Sequence, residues 1–209
     1  MGIINCPVVK EFLFKKKHLG ITEYLGKKTG IKGNEVMLIY NKKLSVSPLT
    51  THIPLSLVGK KLKKIAIINK VKTINAFYKK NFNKKPKIAI LGLNPHNSYG
   101  QAKSQENKII FPAIKEIKKK GIKVFGPIST DTSFIINNKK KFDVIFGMYH
   151  DQVLTPFKAL FKYNAVNVTL GLPFIRVSPD HGIAKDIVGK NIANHNSLMH
   201  SIKFFNNIN

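Results

Sequence analysis

The run Ile88-Ala89-Ile90-Leu91-Gly92-Leu93 contains no polar side chain. As a strand it is apolar on both faces, the condition of a strand covered by helices above and below inside a parallel or mixed sheet. The segments after it keep that logic. A helix is predicted around Glu106 to Lys119, a strand over Lys123 to Phe125, a short helix near Phe134 and a strand over Val144 to Phe146. A further helix over Leu154 to Phe161 leads to a strand over Ala165 to Thr169. Upstream, Leu55, Leu57, Val58, Leu62, Ile65, Ile68, Val71, Ile74 and Phe77 recur at three- and four-residue steps, predicting one long helix or two shorter ones between Pro54 and Phe82. Val36 to Tyr40 and Leu44 to Val46 read as a hairpin around Asn41-Lys42-Lys43. Ile3, Ile4, Cys6, Pro7 and Val8 read as a short strand and its loop. From there to Gly30, including the lysine cluster Lys15 to Lys17, no period stands out. The expected fold class is α/β, with a largely parallel or mixed sheet between helices.

A chain of 209 residues, 43% of them hydrophobic, can bury a substantial core. Its formal charge of +26 invites a nucleic-acid reading. The composition argues against it, because of 36 basic residues only Arg176 is arginine, and the lysines come with abundant Asn and Ile, all specified by AT-rich codons. Arginine is the residue whose planar fork matches phosphates and guanine edges, and here it is almost absent. Where lysine serves, lysine has been used, so the single Arg176 points to a site that needs a bidentate grip on a carboxylate or phosphate. A chance surface survivor is the alternative. No segment is long and apolar enough to span a bilayer, and the first residues lack the layout of a signal peptide. Cys6 stands alone, which rules out an internal disulfide and a cysteine-rich zinc site. These features together predict a cytoplasmic protein with no membrane partner.

Three histidines follow apolar strands: His52 after Leu44 to Thr51, His96 after Ile88 to Leu93, and His150 after Val144 to Phe146. Ligands collect at the carboxyl ends of strands in open α/β sheets, so the three rings are expected to converge on a divalent metal with positions left for substrate oxygens. Any one of them also fits a hydrogen-bonded loop or core residue. Of only ten acidic residues, Asp131, Asp151, Asp180 and Asp186 lie in or beside these motifs, where carboxylates orient imidazoles or support a metal.

The runs Leu91-Gly92-Leu93-Asn94-Pro95-His96, Met148-Tyr149-His150-Asp151-Gln152 and Val166 to Arg176 are distinctive in combination. So are Thr50-Thr51-His52 with Pro54-Leu55, Gly126-Pro127 with Asp131-Thr132, and Asp180-His181-Gly182. In this order, over nearly the whole chain, they resemble the 4-hydroxythreonine-4-phosphate dehydrogenase family. The resemblance implies a three-layer α/β/α fold like that of isocitrate and isopropylmalate dehydrogenases, and a homodimer whose metal site draws on both subunits. It implies His52, His96 and His150 as ligands of a divalent cation such as zinc, magnesium or cobalt. Thr22, Lys158, Asn167 and Arg176 fall on substrate-binding positions, and Asp131 and Lys158 are the candidates for catalysis. The stretch from His181 through Asn194 is similar to the adenosine-binding loop of the isocitrate and isopropylmalate enzymes. That likeness makes His181, Gly182, Ala184, Asp186 and Asn194 the expected contacts to NAD, Asp186 taking the ribose; a glycine-containing loop before a short helix is the plainer reading. The reaction implied is oxidation of 4-phosphooxy-L-threonine by NAD, then decarboxylation to 3-amino-2-oxopropyl phosphate, a step of pyridoxine 5'-phosphate biosynthesis.

The chain departs from the family pattern in three ways. It corresponds to the C-terminal two-thirds of the family, so one of the two domains is expected to be incomplete. Residues 20–178 would form the metal, substrate and dimerisation region, and 179–209 the cofactor loop and C-terminal segment. In Gly20-Ile21-Thr22-Glu23 the family has histidine where Ile21 stands, and Ile183 replaces a family threonine. The segment Asn97 to Gln105 is also poorer in glycine and acidic residues than the family pattern. These changes leave open a related dehydrogenase of another phosphorylated β-hydroxy acid, or an inactive remnant that binds metal without turnover.

Overall fold

In the computed structural model, residues 2–9, 21–31 and 34–208 are described. The Lys15 to Lys17 cluster and Gly20 lie outside them. Among the described residues, eight strands form one sheet: β1 (Gly2–Ile4), β2 (Val36–Tyr40), β3 (Ser45–Thr50), β4 (Ile88–Leu91), β5 (Val124–Ile128), β6 (Val144–Tyr149), β7 (Val166–Leu170) and β8 (Ile175–Pro179). Their order across the sheet is β1-β8-β7-β2-β3-β6-β4-β5. The β3-β6-β4-β5 half is parallel, while β2 is antiparallel to β3 and β7, and β7 is antiparallel to β8. The sheet is therefore mixed, as expected.

The doubly apolar strand behaves as its composition requires. Ile88 and Ile90 face one helical layer, Ala89 and Leu91 the other, and all four are fully buried. On the first side, α2 (Leu55–Lys61), α3 (Lys64–Phe82), α4 (Phe111–Lys119) and α7 (Asn196–Phe205) supply Val58, Ile67, Val71, Ile74, Ile114, Ile117 and Phe204. On the second, α5 (Thr130–Lys140) and α6 (His150–Phe161) supply Phe134, Val153, Leu154 and Phe157. A remaining helix, α1 (Ile21–Lys28), precedes the hairpin of β2 and β3.

The Pro54 to Phe82 region is two helices, broken where Leu62 takes an extended backbone. Three elements go beyond the sequence expectation. The helix α1 has apolar residues too few to show a period, β8 lies in a stretch read for its binding motif, and α7 follows a polar loop. The helix expected from Leu154 begins at His150, immediately after β6.

Candidate active site

The hairpin and the parallel half of the sheet bring two of the three histidines together. In β3 and β6, Thr50 pairs with Tyr149 in parallel register, and the Thr50 hydroxyl donates to the Met148 carbonyl at 2.8 Å. His52 and His150 therefore leave the same end of adjacent strands, and their ring centroids lie 5.9 Å apart. That is short enough for both imidazoles to reach one ion at the ordinary Zn–N distance of roughly 2.1 Å. His150 Nδ1 lies 2.7 Å from Asp151 Oδ1, a contact that, with the proton on Nδ1, fixes the ring and leaves Nε2 with its lone pair free of a proton.

His96 does not join them. Although β4 adjoins β6, the chain after it enters a left-handed turn in which His96, Asn97, Ser98 and Tyr99 have φ of 47°, 56°, 57° and 46°. Its ring packs against Tyr99 at 5.0 Å, with Nδ1 3.8 Å from Asp131 Oδ2. Among the described residues, no three His, Cys, Asp or Glu side chains are grouped to hold a metal. The convergence of all three rings expected from strand placement thus does not occur within one chain, because the turn redirects the third.

Left-handed backbone costs a non-glycine residue roughly 1–2 kcal/mol, so four in succession need support. Glu106 provides it. The side chain is fully buried, and Oε1 accepts the backbone N–H groups of Leu93 and Asn94, both at 2.8 Å. Oε2 accepts the Asn94 amide at 3.0 Å and the Ser98 hydroxyl at 2.9 Å. Burial alone would raise this carboxyl; the hydrogen bonds from Asn94 and Ser98 outweigh it and bring the pKa from an ordinary 4.5 down to about 2. Gly92 completes the fit, since a Cβ there would lie 2.1 Å from Asn97 Oδ1.

A second buried residue ties the strand ends together. Gln152 Oε1 accepts the Met148 N–H at 2.6 Å, while Nε2 donates to the Gly92 carbonyl at 2.7 Å and to Thr130 Oγ1 at 2.8 Å. One amide thus fixes the end of β6, the exit of β4 and the start of α5. Glu106 does not stand out in the sequence, since a single Glu in a helix ordinarily faces solvent. Gln152 closes the distinctive Met148 to Gln152 run, but the run alone gives its amide no role.

Beside His52 lies a cavity of about 490 Å³ whose lining includes Thr22, Asn167, Arg176, His181, Gly182 and Lys185. Residues far apart in sequence meet here because β7 and β8 are antiparallel neighbours and α1 closes the front. Arg176 is buried in β8; Nε donates to Asn5 Oδ1 at 2.6 Å and Nη1 to Thr169 Oγ1 at 3.1 Å, so the plane of its fork is set. Asn167 Oδ1 is buried with no hydrogen-bond partner among the described residues. Ile21 and Ile183, the two single-residue departures expected from the sequence, also line this cavity.

Lys158 is not among the lining residues. Its Nζ donates to the Asp180 carbonyl and lies 2.6 Å from both that oxygen and Asp180 Oδ2. Burial pushes the Asp180 carboxyl up, and Lys158 pulls against that shift. From the loop after β8, only His181 and Gly182 of the expected cofactor contacts reach the cavity. Ala184 adopts left-handed backbone, Asp186 lies exposed in a short turn, and Asn194 accepts the Asn196 N–H at the start of α7. The cavity lining therefore assembles Thr22, His52, Asn167, Arg176, His181 and Gly182, and does not include His96, Asp131, His150, Lys158, Ala184, Asp186 or Asn194.

Comparison with known proteins settles the family. Residues 1–205 match the family described as pyridoxal phosphate biosynthetic protein PdxA. The chain belongs to this family. Among curated relatives, a 4-hydroxythreonine-4-phosphate dehydrogenase of Sulfurihydrogenibium sp. is 46% identical over 206 residues, covering 97% of this chain and 63% of the relative. This chain thus spans less than two-thirds of that protein's length. The crystal structure of a 4-hydroxythreonine-4-phosphate dehydrogenase from Klebsiella pneumoniae superposes with a TM-score of 0.83 at 35% identity, over 97% of this chain and 63% of the other. An isocitrate dehydrogenase from Methylococcus capsulatus aligns over 97% of this chain and 67% of its own, with a TM-score of 0.60 at 10% identity. That likeness is one of fold, and it agrees with the isocitrate dehydrogenase-like α/β/α arrangement expected from the sequence.

Proposed function

We propose that this chain carries the substrate-binding and metal-binding part of an NAD-dependent dehydrogenase acting on 4-phosphooxy-L-threonine in pyridoxine 5'-phosphate biosynthesis. The supporting observation is the cavity that joins Arg176, Asn167 and Thr22 to His52 on one side and to His181 and Gly182 on the other. In this reading residues 20–178 form the metal, substrate and dimerisation region and 179–209 the cofactor loop and C-terminal segment. The protein works in the cytoplasm.

The fixed guanidinium of Arg176 binds an anionic end of the substrate. The orphaned Oδ1 of Asn167 accepts a hydrogen bond from the substrate's hydroxyl or ammonium, which removes the cost of leaving a buried acceptor unpaired. Lys158, held by hydrogen bond to the Asp180 carbonyl and by ion pairing with its carboxylate, is the candidate for a further contact to an anionic group of the substrate. His52 and His150 would hold a divalent cation, zinc, magnesium or cobalt, and His96 of a second copy would complete the set. A bound metal would supply Lewis-acid polarisation of the substrate oxygens, and NAD would supply the hydride acceptor. Asp131, beside His96, orients that ring and is the candidate for proton transfer. The decarboxylation that follows oxidation gives 3-amino-2-oxopropyl phosphate.

Ile21 and Ile183 favour a second reading, because an apolar wall stands where the family has hydrogen-bonding side chains. A related phosphorylated β-hydroxy acid would then be the better substrate, and comparing such acids in the same assay separates the two. The division of the metal site between copies has its own test. Neither a His52→Ala nor a His96→Ala protein should turn over. Mixing the two should restore about a quarter of the unmodified activity, because half of the dimers would carry one intact site out of two. No recovery from a mixture that exchanges subunits would count against the shared site.

A further inference from the structure

We infer that Glu106 is a positioning residue for His96: its carboxylate holds the left-handed turn that carries the histidine out of its own chain's site and presents it to a second copy. The inference rests on the reading of His96 as a ligand to a metal shared between subunits.

The geometry separates the ligand from its support. The hydrogen bonds of Glu106 do not go to His96; its two oxygens bind the chain just before the histidine, at Leu93 and Asn94, and just after it, at Ser98. Ser98 lies inside the left-handed stretch, so its hydroxyl bond to Oε2 ties that strained backbone to the buried carboxylate. The neighbouring contacts act to the same end. Asn97 Nδ2 donates to the Pro127 carbonyl at 3.1 Å, anchoring the outer side of the turn to the β5 end. Without these ties, four consecutive left-handed residues would relax, and His96 would lose a defined direction. Glu106 needs two acceptor oxygens for this work. An amide at the same position sets its NH2 group against the Leu93 and Asn94 backbone N–H groups in one orientation and against the Asn94 side-chain NH2 in the other.

The experiment uses the full chain with Co2+ as the probe, titrated by its visible absorption, and amide hydrogen exchange read by mass spectrometry on the same samples. Glu106→Gln should speed exchange across residues 92–99 by at least about tenfold, leave β6 unchanged, and weaken cobalt binding to the level of His96→Ala. Ser98→Ala, which removes only the bond from inside the turn, should weaken cobalt binding several-fold in a fully folded protein. Unchanged exchange at 92–99 in Glu106→Gln would overturn the inference. So would faster exchange there with cobalt affinity and absorption like those of the unmodified protein, since the carboxylate would then be structural only. Equal cobalt affinity of the unmodified protein and His96→Ala would instead overturn the reading of His96 as a ligand, and the positioning role with it.

Discussion

Acidification should bring the stability of the protein closer to that of its Glu106→Gln variant, by an amount the carboxylate's surroundings fix. In the folded chain this carboxyl titrates at about 2, against an ordinary 4.5 once unfolded. A folded pKa below the unfolded value contributes stability that is fully present above the unfolded pKa and is lost as pH falls towards and through the folded one. The separation corresponds to about 3 kcal/mol in favour of the folded state at neutral pH. Integrating the linkage from pH 6 down to 3.5 removes roughly 1.4 kcal/mol of it. All other ionisable groups are shared by the two proteins and drop out of the comparison. Urea unfolding followed by circular dichroism, at fixed ionic strength, gives both stabilities at each pH. The gap between them should narrow by that amount with the urea slopes unchanged. Parallel stability curves over the whole range would refute the claim that Glu106 is ionised and held by hydrogen bonds.

Gly92→Ala should lower stability by about 1–3 kcal/mol, read as a reduced thermal midpoint, because the new methyl meets Asn97 Oδ1 at 2.1 Å. Gln152→Leu keeps the volume but leaves the Met148 N–H and the Gly92 carbonyl without their buried partner; we expect a loss of roughly 2–4 kcal/mol in urea unfolding. Arg176→Lys keeps the charge and loses the planar fork pinned by Asn5 and Thr169, so the substrate KM should rise by about tenfold or more in steady-state assays while the fold persists.

Much of the architecture was legible because it rests on periodicity. The doubly apolar Ile88 to Leu91 strand, the helical stepping from Leu55 to Phe77 and the hairpin around Asn41 all follow from which side chains must leave water. The elements that escaped, α1, β8 and α7, are short or carry polar residues whose burial is decided by neighbours distant in sequence. The motif residues His52, Asn167, Arg176 and His181 were named from sequence, and the fold gathers them around one cavity. The direction of His96 was not legible, since strand placement predicts where a residue begins and not how a left-handed turn aims it. The roles of Glu106 and Gln152 were hidden for a related reason. Their function depends on backbone groups that become unpaired neighbours only after the strands align.

The most direct test of the proposed function is NADH formation by the purified chain supplied with 4-phosphooxy-L-threonine, NAD and a divalent metal, set beside a chelated sample. Turnover that depends on the metal and vanishes with chelator is the result expected. A folded, metal-loaded protein that forms no NADH would contradict it and leave a binding remnant of the family.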